Sequence, residues 1–239
     1  MGSINDNTIV VIPSYNEART IGDIVLDIVN MGMSVLVIDD GSNDNTERLA
    51  LDAGAMVLRH KVNVGKGYSV RQAINYVLDK TKYEWLLIMD GDGQHHTEDI
   101  ASFMEATTPN GDVDMVLGNR MSDAKGMPPV RYWTNKFTSG VLSWICKHDI
   151  PDSQCGYRLV STDAVRKMNL ETEKYDIESE MLIEAAEMRM NVVSVPIQTI
   201  YGDEVSEIHP VRDTIKFFEL IIKSHFRLSE VRRKKKKRE

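Results

Sequence analysis

Short apolar runs alternate with amphipathic stretches along the first half of the chain. TIVVI (8–12), SVLVID (34–39), AMVLR (55–59), WLLIMD (85–90) and VDMVLG (113–118) are dense in β-branched and large apolar residues and are bounded by polar turns. Continuous apolar runs of this length predict strands covered on both faces. Between the first two, Glu17 to Met31 places Ile21, Ile24, Val25 and Ile28 at helical spacing. Residues 45–53, 67–80 and 98–107 predict three further helices. Strands alternating with helices imply an α/β fold, a three-layer sandwich around a mainly parallel central sheet. Beyond residue 120 the alternation breaks. KGMPP (125–129) reads as a loop, 131–147 and 176–190 as helices, and NVVSVPI (191–197) as a strand. With no internal repeat or low-complexity linker, residues 1–208 are expected to form one domain.

The last stretch is different. Val211, Ile215, Phe218, Ile222 and Phe226 share a helical face, with Arg212, Lys216, Lys223 and Arg227 opposite, and RRKKKKRE (232–239) follows. Residues 209–239 therefore predict an amphipathic helix and a polybasic tail, suited to an anionic membrane surface. Packing of that helix on its own domain is the rival reading. The formal net charge is −7, yet residues 232–239 hold seven bases and one acid, which leaves −13 on residues 1–231. So acidic a body argues against a nucleic-acid partner. Hydrophobic residues at 42% exclude a disordered acidic chain. No apolar run approaches the roughly 18 residues of a spanning helix. The opening MGSINDNTIV does not read as a signal peptide. Cys146 and Cys155 match no zinc spacing and are expected as free thiols.

Polar clusters follow the predicted strands: Ser14 to Glu17, Asp39 to Ser42, Asn63 to Gly67, Asp90 to Gln94, and Asn119 with Arg120. Each alone is an ordinary helix-capping loop. Five at the carboxyl ends of one parallel sheet point instead to a shared ligand site. Common nucleotide motifs fail. Gly65-Lys66-Gly67 lacks the third glycine of a dinucleotide fingerprint, and there is no GxxxxGK[ST]. Asp90-Gly-Asp92-Gly-Gln94 begins like a calcium loop but has His95 at position six and Ala101 at position twelve, so it is no EF-hand. Asp-x-Asp after a buried strand also suits a Mg²⁺ or Mn²⁺ held against a substrate diphosphate, with Gln94 as a neutral oxygen ligand.

VVIPSYNEARTIGDIV, VLVIDDGSNDNT, NVGKGYSVRQAI, LLIMDGDGQH and LGNRM resemble, in order and spacing, the family 2 glycosyltransferases of glycosyltransferase A fold. PDSQCGYRL, DIESEML and VPIQTIYGDEVSEIHPVRD resemble the dolichol-phosphate mannose synthase and polyprenyl-phosphate branch. The resemblance spans about residues 8–215. It implies that Pro13, Tyr15, Glu17, Val37 and Asp39 cradle the base and ribose of a nucleotide sugar. It implies that Asp90, Gly91 and Asp92 meet the metal and diphosphate, with Gln94 as a further metal ligand. Asp92, Arg120, Arg131 and Asn135 would carry the transfer, Arg120 on phosphate and Arg131 and Asn135 on the acceptor phosphate. Thr199 and Glu207 stand where better-studied eukaryotic members carry Arg and Lys, and His209 or Arg212 would compensate.

The resemblance implies an inverting, metal-dependent transfer of a hexose from GDP-mannose, UDP-glucose or UDP-N-acetylglucosamine to a dolichyl or polyprenyl phosphate. The expected place is the cytoplasm, peripheral on the cytosolic face of a membrane. The sugar, the nucleotide and the oligomeric state stay open. An anionic phosphate acceptor needs orientation by Arg or Lys, whereas an alcohol needs a general base. Glu178 and Glu180 are the candidate bases for an alcohol, although solvated helix faces are the expected place for both. His95 or His96 is expected as a polar neighbour of the diphosphate. Tyr15, Trp133 and Trp144 suit packing, base stacking or a lipid interface. A hydroxyl-acceptor transferase and a non-catalytic nucleotide-sugar scaffold are the alternatives.

Overall fold

The structure is a computed structural model and describes residues 6–107, 112–172 and 177–199. The expected helix 211–231, the basic tail, Glu207, His209 and Arg212 lie outside the described residues.

Among the described residues seven strands form one sheet. They are β1 (Thr8–Ser14), β2 (Ser34–Asp39), β3 (Met56–Arg59), β4 (Trp85–Ile88), β5 (Met115–Asn119), β6 (Arg158–Ser161) and β7 (Val192–Pro196). Their order is β3-β2-β1-β4-β6-β5-β7. All neighbours pair in parallel except β6, which runs antiparallel to both β4 and β5. The helices are α1 (Ile21–Asn30), α2 (Thr46–Asp52), α3 (Lys66–Lys80), α4 (Ile100–Ala106), α5 (Pro129–Cys146), α6 (Thr162–Lys167) and α7 (Ile177–Glu187). Alternation of strand side chains splits the core. Val10, Ile12, Val35, Val37, Leu87 and Met89 pack with Ile21, Val25 and Ile28 of α1 and Phe103 of α4. On the other side α3 packs on β1 and β2 with Val70, Ala73 and Val77 buried. This is the expected three-layer sandwich.

Three features were not anticipated. The first helix starts at Ile21 rather than Glu17. The four residues ahead of it form a loop pinned to neighbouring strand ends, with Glu17 N donating to Thr46 Oγ1 at 2.8 Å and Thr20 Oγ1 to Gly91 O at 2.6 Å. Pro129 begins α5 rather than closing a loop, because proline is preorganised for the first helical turn. Strand β6 and helix α6, in YRLVSTDAV, lie in a stretch between the expected helices 131–147 and 176–190 that carried no expected element. A four-residue strand opening on a charged Arg carries little periodic signal. Pro13 sits inside the central strand at no cost in hydrogen bonds. Val11 O accepts from Met89 N on the β4 side, the last β4 bond, so residue 13 faces that edge beyond its partner.

Candidate active site

With every strand but β6 parallel, the carboxyl ends of β1, β2, β3, β4 and β5 open on one edge. Antiparallel β6 brings its amino end, and the preceding Asp152–Tyr157, to the same edge.

The two adjacent aspartates after β2 have separate tasks. Asp40 Oδ1 accepts from Val64 N at 2.9 Å and lies 2.8 Å from His60 Nδ1, while Oδ2 accepts from Gly65 N at 2.8 Å. It thereby closes the β3–α3 loop. Gly41, which follows them, is obligatory, since it has φ +76° and a Cβ there would lie 2.6 Å from the Val62 carbonyl carbon. Asp39 is fully buried. Its Oδ1 accepts from Ser42 N at 2.8 Å, and Oδ2 faces Arg59 Nε at 3.5 Å with no hydrogen bond among the described residues. A buried carboxylate oxygen without a donor is costly and is an acceptor waiting for one. Pro13 is buried at the end of β1, Tyr15 is 42% exposed and Glu17 half-buried beside them. Val37 is fully buried, and its side chain belongs to the core beneath α1.

After β4, Gly91 touches the end of β1, where a Cβ would meet Ser14 Oγ at 2.7 Å. Asp92 Oδ1 accepts from Gln94 N at 2.9 Å, a tight turn that also uses the positive φ of Gly93. Asp90 lies between Lys66 Nζ at 2.5 Å and His95 Nε2 at 3.6 Å. Lys66 Nζ also reaches Glu178 Oε1 at 2.7 Å. Burial alone would raise the Asp90 pKa, but the Lys66 ammonium and then His95 hold it well below the usual carboxylate range. Burial opposes the Lys66 charge, and Asp90 and Glu178 more than restore it, so its pKa is raised. Gly156 backs this cluster, for a Cβ there would strike Asp90 Oδ2 at 2.5 Å. His96 instead lies 3.7 Å from Glu98.

A second polar cluster surrounds Asp152. Arg120 grips it through Nε at 2.7 Å and Nη2 at 2.8 Å, with its own backbone N at 3.0 Å. Asn135 Nδ2 donates to Asp152 Oδ1 at 2.7 Å, and Asn135 Oδ1 accepts from Ser139 Oγ at 3.0 Å. Burial would raise the Asp152 pKa; the Arg120 fork outweighs that and lowers it. Arg131, one turn before Asn135 on α5, has no carboxylate partner among the described residues. Fully buried Arg158 donates to the carbonyls of Cys155 and Ser153 at 2.8 Å and to that of Glu178, tying β6 to the start of α7.

A profile of the family described as glycosyl transferase family 2 matches residues 9–168. The chain belongs to glycosyltransferase family 2. Glycosyltransferase AglJ of Haloferax volcanii is 33% identical over 221 residues, 90% of this chain and 71% of that protein. The UDP-N-acetylglucosamine–dolichyl-phosphate N-acetylglucosaminyltransferase of Methanococcus voltae is 27% identical across 81% of this chain and 85% of its own. Mannosyl-3-phosphoglycerate synthase of Rubrobacter xylanophilus has the same fold, with a TM-score of 0.70 at 18% identity over 96% of this chain and 75% of that one. This family 2 glycosyltransferase thus resembles the polyprenyl-phosphate branch, and it is a hexosyltransferase rather than a non-catalytic scaffold.

Residues without an expected role in the site also gather at this edge of the glycosyltransferase. Lys66 was legible only as part of a polar loop, although a lysine in the first turn of a helix opposes the macrodipole and so demands anionic partners. Asp152 carried no motif outside the resemblance. Glu178 and Glu180 correct an expectation: both are buried rather than solvated. Glu180 accepts from the backbone N–H groups of Glu171 and Thr172, each at 2.9 Å, and so holds the loop before α7. Those two backbone donors replace water for Glu180, and Lys66 replaces it for Glu178.

Proposed function

We propose that this enzyme transfers a hexose, with inversion, from a nucleotide-diphosphate sugar to a polyprenyl or dolichyl phosphate at the cytosolic face of a membrane. The observation that carries the reading is the reversed amphipathicity of α5. Its inward face is Asn135, Thr138, Ser139 and Leu142, and Arg131 lies on the same side. Its outward face is Val130 and Phe137 with Trp133 and Trp144, the tryptophans 64% and 81% exposed. Soluble helices turn their apolar stripe inward. A helix that turns polar groups to a site and indole rings outward suits a lipid–water interface. Lys136, 5.4 Å from the Trp133 ring centre, adds a cation at that face.

In this reading Asp39 Oδ2 accepts from an N–H of the base, with Pro13, Tyr15 and Glu17 around base and ribose. Asp90, Asp92 and Gln94 would hold a divalent cation. Their oxygens fit hard Mg²⁺ or Mn²⁺, which is commonly held by one or two carboxylates together with substrate phosphates. The cation would neutralise charge on the departing nucleoside diphosphate. Arg131 orients the acceptor phosphate, while Asn135, buried and bonded to Asp152 and Ser139, and Arg120, paired with Asp152, hold that edge in place. An acceptor oxygen then bonds to the anomeric carbon as the bond to the diphosphate oxygen breaks on the opposite side. No general base is required. That agrees with the engagement of Glu178 by Lys66 and Glu180 by two amides, which disfavours a hydroxyl acceptor.

The test is transfer of radiolabelled sugar into liposomes carrying polyprenyl phosphate. GDP-mannose, UDP-glucose and UDP-N-acetylglucosamine are supplied separately, with Mn²⁺ or Mg²⁺ and with chelator. One donor should label the lipid phase, and chelator should abolish the label. No lipid label from any donor, in protein that binds a nucleoside diphosphate, rejects the acceptor.

A further inference from the structure

The geometry points to Lys66 as a resident cation that competes with the divalent ion for Asp90 and thereby makes tight metal binding conditional on the nucleotide. This rests on the metal-dependent reading above. Lys66 Nζ sits 2.5 Å from Asp90 Oδ1 and 2.7 Å from Glu178 Oε1, a charge bridge between the loop after β4 and the start of α7. The bridge is held from both ends. Lys66 is the first residue of α3, whose preceding Gly65 is anchored by Asp40. Glu178 is held through its carbonyl by buried Arg158. Asp90 itself cannot retreat, because Gly156 lies directly behind its carboxylate.

A divalent ion approaching Asp90 therefore meets a fixed ammonium already on one of its oxygens. It must displace that contact or bind beside a like charge, and either weakens its hold. A diphosphate changes the balance. It brings anionic charge sufficient for both cations, and offers the metal ligands that Asp90 alone does not. Lys66 should therefore act with opposite signs, loosening metal on the bare protein and favouring it once nucleotide is present. Synergy between metal and nucleotide is a coupling free energy, and it is reciprocal.

Mn²⁺ binding followed by electron paramagnetic resonance tests this without any turnover. The protein is titrated with Mn²⁺ alone, then with UDP and with GDP. Lys66→Met should tighten Mn²⁺ alone by about tenfold, as expected for removal of one nearby positive charge, and should shrink the factor by which nucleotide improves it. Lys66→Arg, which keeps the charge, should behave as the parent, and thermal melting checks that both variants are folded. Unchanged or weaker Mn²⁺ binding in Lys66→Met, with the parent still binding Mn²⁺ in the presence of nucleotide, overturns the competition alone. If neither parent nor variant binds Mn²⁺ with either nucleotide, the metal site falls, and this inference with it.

Discussion

Among single residues, the sharpest division of labour is between neighbours of the same type. Asp39 and Asp40 are adjacent, yet one closes a loop and the other keeps an acceptor without a hydrogen-bond donor among the described residues. Asp90 and Asp92 differ likewise, since Asp90 carries the Lys66 bridge whereas Asp92 closes its own turn onto Gln94 N. Replacing Asp92 by Asn should leave the fold intact and lower metal-dependent transfer by about 100-fold or more, because several kcal/mol of charge stabilisation on the leaving group is lost. Full activity at saturating metal would show that Asp92 holds no cation. Asp152 has a different character. Its partner Arg120 is buried, so Asp152→Asn leaves a guanidinium without its counter-charge and should cost about 3–5 kcal/mol in urea unfolding. The pH dependence follows. The folded pKa lies below the ordinary 3.8, so the unfolded chain binds the proton more readily. Stability from this pair is complete above that value and is lost as pH falls through the lower folded value. The Asn variant should show a flatter stability profile below about pH 4, and an unaltered profile would remove Asp152 from the acid-sensitive groups.

At the scale of elements, α5 joins the two halves of the proposed function, because one helix turns Arg131 and Asn135 inward and Trp133 and Phe137 outward. Serine at both Trp133 and Phe137 should change stability by no more than about 0.5 kcal/mol each, since the side chains bury little. Co-sedimentation with anionic liposomes should fall by at least about tenfold, each ring being worth about 1.5–3 kcal/mol when withdrawn from water. Nucleotide affinity should not move. Retained liposome binding would assign the membrane contact to another element. The helical spacing of α5 was readable in advance, but its polarity was not. Asn135, Thr138 and Ser139 look like a solvent face until Asp152 and Ser153, arriving from a distant loop, satisfy them. Strand β6 was hidden for a related reason. Arg158 looks like a break in a short apolar run, and only three carbonyls, two from the preceding loop and one from α7, make its burial tolerable.

For the whole molecule, the alternation of strand and helix over residues 8–119 determined the layered α/β fold, because parallel strands need crossover helices and continuous apolar runs need cover on both faces. The strand-end polar clusters were likewise legible, since a parallel sheet sends all its carboxyl ends to one edge. Tertiary structure alone decided the insertion of β6 between β4 and β5, which carries Asp152 and Gly156 to that edge. It alone decided that Lys66, Asp90 and Glu178, from three elements far apart in the chain, share one charge bridge. Local patterning reports what each segment can bury. Which charges face one another depends on distances between segments, and those exist only once the sheet has closed.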